Sequence, residues 1–258
     1  MRKNVLSLLP DNFPWRENVH YFDKIKSTNT RAKEMASAGA PHGTVLMADT
    51  QTGGRGRMGR SFLSPAGTGI YLSVILRPRC TAQELMHLTC AVGVAVCDAI
   101  ESVCKVRPGI KWINDLVLNG KKLGGILTEL SLDSAGKVDY AVVGIGINVS
   151  STPDGVEEIA TSLWESGCPI DRNTLIAAIL VQLEQMSESL TDHSVMEQYR
   201  KDCLTIGQEV CVIRPEGVLY GKALDIDAQG GLLVRYSDGK LQTVSSGEVS
   251  VRGMYGYV

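Results

Sequence analysis

Between Gly53 and Arg60 the chain reads GGRGRMGR, so Arg55, Arg57 and Arg60 are threaded between Gly54, Gly56 and Gly59. Guanidinium groups pair bidentately with phosphate or carboxylate, and the glycines leave the backbone free to follow a ligand. An anion could order such a loop around itself and exclude water as it closes. Farther along, KWINDL supplies Lys111, Asn114 and Asp115, and KKLGGIL places Lys122 before Gly124 and Gly125. Lysine neutralises charge that develops at phosphorus, a carboxylate can hold a metal ion or a ribose hydroxyl, and glycine admits a ligand close to the backbone. The set suits a phosphoryl or nucleotidyl centre. Residue by residue, each of these charges also reads as solvated surface, and the arginine-glycine loop as a surface that touches RNA.

Two familiar phosphate motifs overlap the loop and fail on context. G-x-G-x-x-G and the P-loop both need a helix directly after the glycines, so that its first amides meet phosphate. Here TVLMADT predicts a strand leading in, Pro65, Gly67 and Gly69 follow the loop, and GIYLSVIL predicts a strand leading out. The loop joins strand to strand.

The rest of the chain must position these residues. Ser27, Thr28, Asn29 and Thr30 cluster as capping side chains ahead of a helix that Gly39 and Pro41 end, after a first stretch of about twenty residues read as irregular. Residues 82–103 predict the longest helix, mostly apolar. Asn119-Gly120 between two apolar runs predicts a β-hairpin, and VDYAVVGIGINVS a buried strand. Two or three helices are expected between Val156 and Leu204. From Gly207 onward, short strands separated by glycine and aspartate turns suggest a small β-barrel. The fold class is therefore α+β, with a catalytic domain over 1–206, its mixed sheet flanked by helices, and a second domain over 207–258.

Bulk properties fit an ordinary globular chain: 258 residues, 44% hydrophobic, 21% charged, net charge −2. No global positive field argues for nucleic acid, so any basic site is local. Apolar runs fall short of a membrane span and the N-terminus lacks a secretory signal, which places the protein in the cytoplasm. Seven cysteines without C-x-x-C and four histidines without H-x-x-x-H give no metal spacing. Cys90, Cys97 and Cys104 read as one buried helix face, and the thiols as reduced.

Taken in order, STN (27–29), TQTGGRGRMGRSF (50–62), KWINDL (111–116), KLGGIL (122–127) and GIGINV (144–149) resemble the biotin protein ligases. The segment from Gly230 to Arg252 resembles that family's C-terminal SH3-like domain. The resemblance spans roughly residues 20–253. It implies a class II synthetase-like catalytic domain that activates biotin with ATP to biotinyl-5′-AMP, releases pyrophosphate, and transfers biotin to one lysine of a biotin carboxyl carrier domain.

By the same resemblance Ser27, Thr28, Asn29 and Gln51 recognise the ureido ring, Gly54, Arg55, Gly56 and Arg57 belong to the biotin-binding loop, and Gly125 and Gly144 line the biotin slot. Arg57 and Arg60 act at phosphate, and Phe62 stacks on adenine. Lys111 serves the ATP phosphates, Asn114 the adenylate, Asn148 the adenosine and Asp115 the Mg²⁺ ion. Lys122 bridges the biotin carbonyl and the phosphate. The family often has tryptophan at Phe62, proline at Ile113, arginine at Met58 and alanine at Gly124. Phe62 offers less stacking area, so weaker retention of the intermediate is a consequence. About twenty residues precede the first motif, too few for the winged-helix DNA-binding domain of many bacterial relatives, so a ligase without operator binding is expected. A homodimer is compatible with the sequence. The lipoate ligases share fold and activation chemistry but carry a different arginine-glycine signature.

Overall fold

The computed structural model describes residues 1–214, 217–245 and 248–251. Its first unit is a seven-stranded mixed sheet. In chain order the strands are β1 (Val19–Ile25), β2 (Thr44–Gln51), β3 (Gly69–Leu76), β4 (Gly109–Lys111), β5 (Asp115–Leu118), β6 (Lys121–Leu132) and β7 (Val138–Asn148), and the spatial order is β1-β2-β3-β7-β6-β5-β4. Only β1 and β2 run parallel; every other pairing is antiparallel. All eight residues of β3 are buried, as expected of a central strand covered on both faces.

Five helices flank or brace this sheet: α1 (Arg2–Leu8), α2 (Thr28–Ser37), α3 (Leu88–Cys104), α4 (Arg172–Ser187) and α5 (Val195–Asp202). Ser27 caps α2, its hydroxyl accepting from the Thr30 amide at 3.4 Å, so the first turn of α2 points its side chains toward the sheet. The N-terminus departs from the expected irregular stretch. It forms α1, whose Val5 is fully buried, and a 3₁₀ turn over Arg16–Asn18. The long helix begins later than residue 82: Thr81 and Glu84 exchange capping bonds, and a run of 3₁₀-type turns follows before α3 opens at Leu88.

The hairpin at Asn119-Gly120 is present, both residues holding positive φ (52° and 75°) between β5 and β6. That geometry is the one an Asn-Gly pair adopts at low cost. Arg107, which no motif singled out, ties α3 to α5. Its guanidinium reaches Asp98 at 2.7 Å, Glu101 at 2.7 Å and Asp202 at 2.6 Å, and Asp202 is buried.

The second unit is a five-stranded antiparallel sheet, β8 (Glu209–Arg214), β9 (Gly217–Ile226), β10 (Leu232–Tyr236), β11 (Leu241–Val244) and β12 (Glu248–Val251), in the order β11-β10-β9-β8-β12. The expected 207–258 span also includes residues 215–216, 246–247 and 252–258, which lie outside the described residues. The two units touch at the turn that follows β4. The Trp112 indole donates to the Gly230 carbonyl at 2.8 Å, while the Trp112 amide is held by the Thr205 hydroxyl, in the segment leading into the second unit, at 2.9 Å.

The expectation of uniformly reduced thiols is corrected. Cys90 and Cys97 are buried free thiols in α3 as predicted, but Cys104, at the last residue of that helix, is disulfide-bonded to Cys168. The partner stands 64 residues away in the segment between β7 and α4, a separation that no local spacing rule reveals. Among the described residues no helix is long and apolar enough to cross a membrane.

Candidate active site

One pocket gathers most of the residues that the sequence singled out. Its lining includes Ser27, Thr28, Asn29 and Gln51 at one end, Gly56, Arg57, Arg60 and Phe62 from the loop, and Lys111, Asn114, Asp115, Lys122, Gly125 and Gly144 from the sheet. The loop itself is short-circuited by an Arg55–Ser61 bridge and a 3₁₀ turn over Arg57–Gly59, within which Met58 takes a left-handed conformation and is 69% exposed.

The buried end is polar and fully networked. The Gln51 side-chain oxygen accepts from the Thr28 amide at 2.8 Å, while its Nε2 donates to Ser64 Oγ at 2.9 Å. Ser73, fully buried on β3, lies 2.8 Å from Thr28 Oγ1 and 2.6 Å from Asn29 Oδ1. Ser27, Thr28 and Asn29 are themselves almost fully buried. Such a wall offers both donors and acceptors to a flat ligand with one carbonyl and two N–H groups.

Gly144 forms the floor beside this wall. A Cβ there would collide with the Asn29 carboxamide, and one at Gly146 would come within 2.5 Å of the Phe62 ring. Gly125 is less constrained: its hypothetical Cβ would meet Asp115 Oδ1 at 3.5 Å, an ordinary contact. Gly124, where the family pattern has alanine, sits so close to the Gly146 carbonyl that no Cβ fits without movement of β7.

The opposite end is cationic. Lys122 Nζ is 2.6 Å from Asp115 Oδ1, and Arg57 donates to Asn114 Oδ1 at 3.1 Å. Asn114 is fixed in turn, its Nδ2 donating to the Ile126 carbonyl at 3.1 Å and its carbonyl accepting from the Ile126 amide at 2.9 Å. Arg57, Arg60, Lys111 and Lys122 face the same space, and among the described residues Asp115 is the carboxylate in the lining, so these side chains gather cations at this end of the pocket. Among the described residues no group of three or more histidine, cysteine or carboxylate side chains stands ready for a metal ion.

Three predicted residues lie outside this lining. Asn148 opens onto an adjoining pocket that shares Ser61, Phe62 and Lys122 with the first and continues past Gly124 to Val156 and Ile159. Gly54, within the loop, packs against its returning arm, where a Cβ would collide with the Phe62 carbonyl and approach Ser64 Oγ within 2.7 Å. Arg55 is exposed, and its charge acts on Glu129.

The sequence reading missed several groups. Leu72, Trp112, Ile126, Ile145 and Val249 complete the apolar walls, Val249 coming from the second unit. Glu129 was missed as well: its Oε2 accepts from Asn29 Nδ2 at 3.1 Å and its Oε1 from Lys33 at 2.6 Å. Burial pushes the Glu129 carboxyl up, but the hydrogen bonds from Lys33 and Asn29 and the charges of Lys33 and Arg55 outweigh it and hold the group below the ordinary carboxylate value.

Residues 21–148 match the Biotin/lipoate A/B protein ligase family, and residues 205–252 match the Biotin protein ligase C terminal domain. The chain is 40% identical to the bifunctional ligase/repressor BirA of Bacillus spizizenii over 86% of its own length and 71% of that protein. It is 37% identical to the biotin–[acetyl-CoA-carboxylase] ligase of Mycobacterium tuberculosis over 91% of its own length and 89% of that protein. Among solved structures it resembles the biotin protein ligase of Aquifex aeolicus in complex with biotin and ATP, with 32% identity, a TM-score of 0.76, and coverage of 92% of this chain and 99% of that one. With an arginine-glycine loop, a lysine–carboxylate hairpin and a polar-walled pocket in one sheet face, the chain belongs to the biotin protein ligase family.

Proposed function

We propose that this chain is an ATP-dependent biotin protein ligase that biotinylates a lysine of a biotin carboxyl carrier domain. The observation that carries the reading is the polarity of the single continuous cleft. A buried donor–acceptor wall at Ser27, Thr28, Asn29 and Gln51 stands at one end and a cluster of cations at the other, which are the two ends that biotin and a nucleotide triphosphate require.

In the first step a biotin carboxylate oxygen attacks the α-phosphorus of ATP, the bond to the β-phosphate oxygen breaks, and pyrophosphate leaves. Arg57 and Lys122 would neutralise charge on the carboxylate and on the α-phosphate, and Lys111 and Arg60 would hold the leaving pyrophosphate. Asn148, which lines the adjoining pocket with Phe62, would contact the adenosine. In the second step a neutral lysine Nζ of the carrier attacks the acyl carbon, AMP departs, and the surplus proton passes to solvent. The loop from Gly53 to Arg60 would shield the mixed anhydride from water meanwhile.

Magnesium enters this scheme with ATP as part of the substrate. Its ligands would be mainly phosphate oxygens, with Asp115 as a protein contributor that must share its carboxylate with Lys122. We assign the catalytic unit to residues 1–206 and an SH3-like unit to the remainder, and place the ATP-consuming reaction in the cytoplasm. The reading does not require operator DNA or a second copy of the chain.

The test is pyrophosphate release by the purified protein with ATP and Mg²⁺ in the presence of biotin, of lipoate, or of neither. Release that requires biotin supports the reading. Release with lipoate alone moves the chain to lipoate activation, and no release with either acid refutes the activation step.

A further inference from the structure

Glu129 lies on β6 two residues beyond the segment that lines the pocket, and its side chain is 26% exposed. On an alternating strand it would read as a solvent-facing charge. Its contacts point inward instead. Asn29 Nδ2 donates both to Glu129 Oε2 at 3.1 Å and to the Leu127 carbonyl at 3.3 Å. An ionised carboxylate and a backbone carbonyl can only accept, so they select one of the two ways in which the Asn29 amide could lie. The amide oxygen must then face the other way, where it meets the Ser73 hydroxyl at 2.6 Å and crowds the position above Gly144.

A carbonyl oxygen has two lone pairs, and Ser73 uses one of them. Resting on the biotin-ligase reading above, we infer that Glu129 is a positioning residue: it fixes Asn29 Oδ1 as an acceptor facing the Gly144 floor, where one ring N–H of a ureido group would meet it. Without that carboxylate, the Asn29 NH₂ keeps only the Leu127 carbonyl, while the Ser73 hydroxyl at the other end can accept as well as donate and so tolerates either orientation; the amide can then turn its NH₂ into the pocket, opposing a ligand donor with a donor. Lys33 anchors the other oxygen of the same carboxylate at 2.6 Å, so two side chains of α2, Asn29 and Lys33, hold Glu129 on β6.

Wild-type protein is assayed first for biotin-dependent pyrophosphate release; its absence overturns the ligase reading and this role together. In an active wild-type background, Glu129→Ala is expected to raise KM for biotin about tenfold or more, the range for losing a hydrogen bond to a charged group. KM for ATP should stay within about twofold, since the cationic end is untouched. Glu129→Gln retains an acceptor and the Leu127 bond, and should recover most of the biotin affinity. Asn29→Ala and the Asn29→Ala/Glu129→Ala double variant should share the same KM for biotin, because Glu129 acts only through Asn29. Additive losses in that cycle, or a parallel rise in both KM values, would overturn the positioning role while leaving the ligase reading intact. If Glu129→Ala does not fold, Glu129→Gln and its Asn29→Ala combination carry the same comparison.

Discussion

Lys122 Nζ and Asp115 Oδ1 stand 2.6 Å apart across the β5–β6 hairpin, with the lysine side chain 35% exposed and the aspartate 17%. The pair fixes the ammonium in the lining at the cationic end of the pocket. Asp115 belongs to β5 and Lys122 to β6, so the Asn119-Gly120 turn sets their relative height.

Lys122→Ala should therefore slow adenylate formation and transfer together, each by roughly 10²- to 10³-fold, the usual loss when one charge-stabilising group is removed from a reacting centre. Single-turnover pyrophosphate release and transfer of preformed biotinyl-AMP to a carrier domain measure the two steps separately. A loss confined to carrier binding would contradict the placement.

Arg57 reaches over the site and is secured to Asn114 at 3.1 Å. Arg57→Gly removes both that anchor and the guanidinium that the proposed reaction sets against the phosphate, so the intermediate should dissociate faster, on the order of tenfold per 1.4 kcal/mol lost. Bystander proteins mixed with enzyme, ATP and biotin should then be labelled on accessible lysines. An unchanged release rate for biotinyl-AMP would remove Arg57 from intermediate retention.

Arg107 makes three carboxylate contacts, one of them to the buried Asp202. Arg107→Met leaves that carboxylate without its guanidinium and should cost about 3 kcal/mol in a urea titration, the scale for stripping one partner from a buried ion pair. The biotin KM should not move, because Arg107 and its three carboxylate partners stand outside the pocket lining.

His87 is buried beside His193, their ring centroids 4.1 Å apart, while His193 Nδ1 contacts the Ala228 carbonyl of the second unit at 2.7 Å. Burial, then the charge of His193, hold His87 below its ordinary value of 6.5, with Asp192 opposing. The unfolded chain thus takes up this proton more readily than the folded one. The associated stability is complete above the ordinary value and is lost as pH falls through the folded-state value. Urea midpoints compared between neutral and mildly acidic buffer should fall for the wild type and fall less for His87→Phe; equal slopes would discount the pair.

The loop, the hairpin and the capping cluster were legible because each demands particular residue types: arginine for anions, Asn-Gly for a tight turn, Ser27 for a helix start. Glu129 was not, since a glutamate on a half-exposed strand carries no sign that its partner is an asparagine 100 residues earlier. Val249 and Arg107 escaped for the same physical reason, their partners being brought in by tertiary packing. The helix α1 spans seven residues, too few for a periodic pattern to stand out, and its evidence is the burial of Val5.

The Cys104–Cys168 link closes a covalent ring of chain around β4, β5, β6 and β7, and with them Lys111, Asn114, Asp115, Lys122, Gly144 and Asn148. Loop-closure entropy for a ring of that size restricts the denatured chain by about 4 kcal/mol on the chain-entropy account. A protease that cuts the exposed Asp133–Gly136 turn would therefore produce two polypeptides that still migrate as one until a thiol is added, with Lys111, Asp115 and Lys122 retained inside the nicked ring.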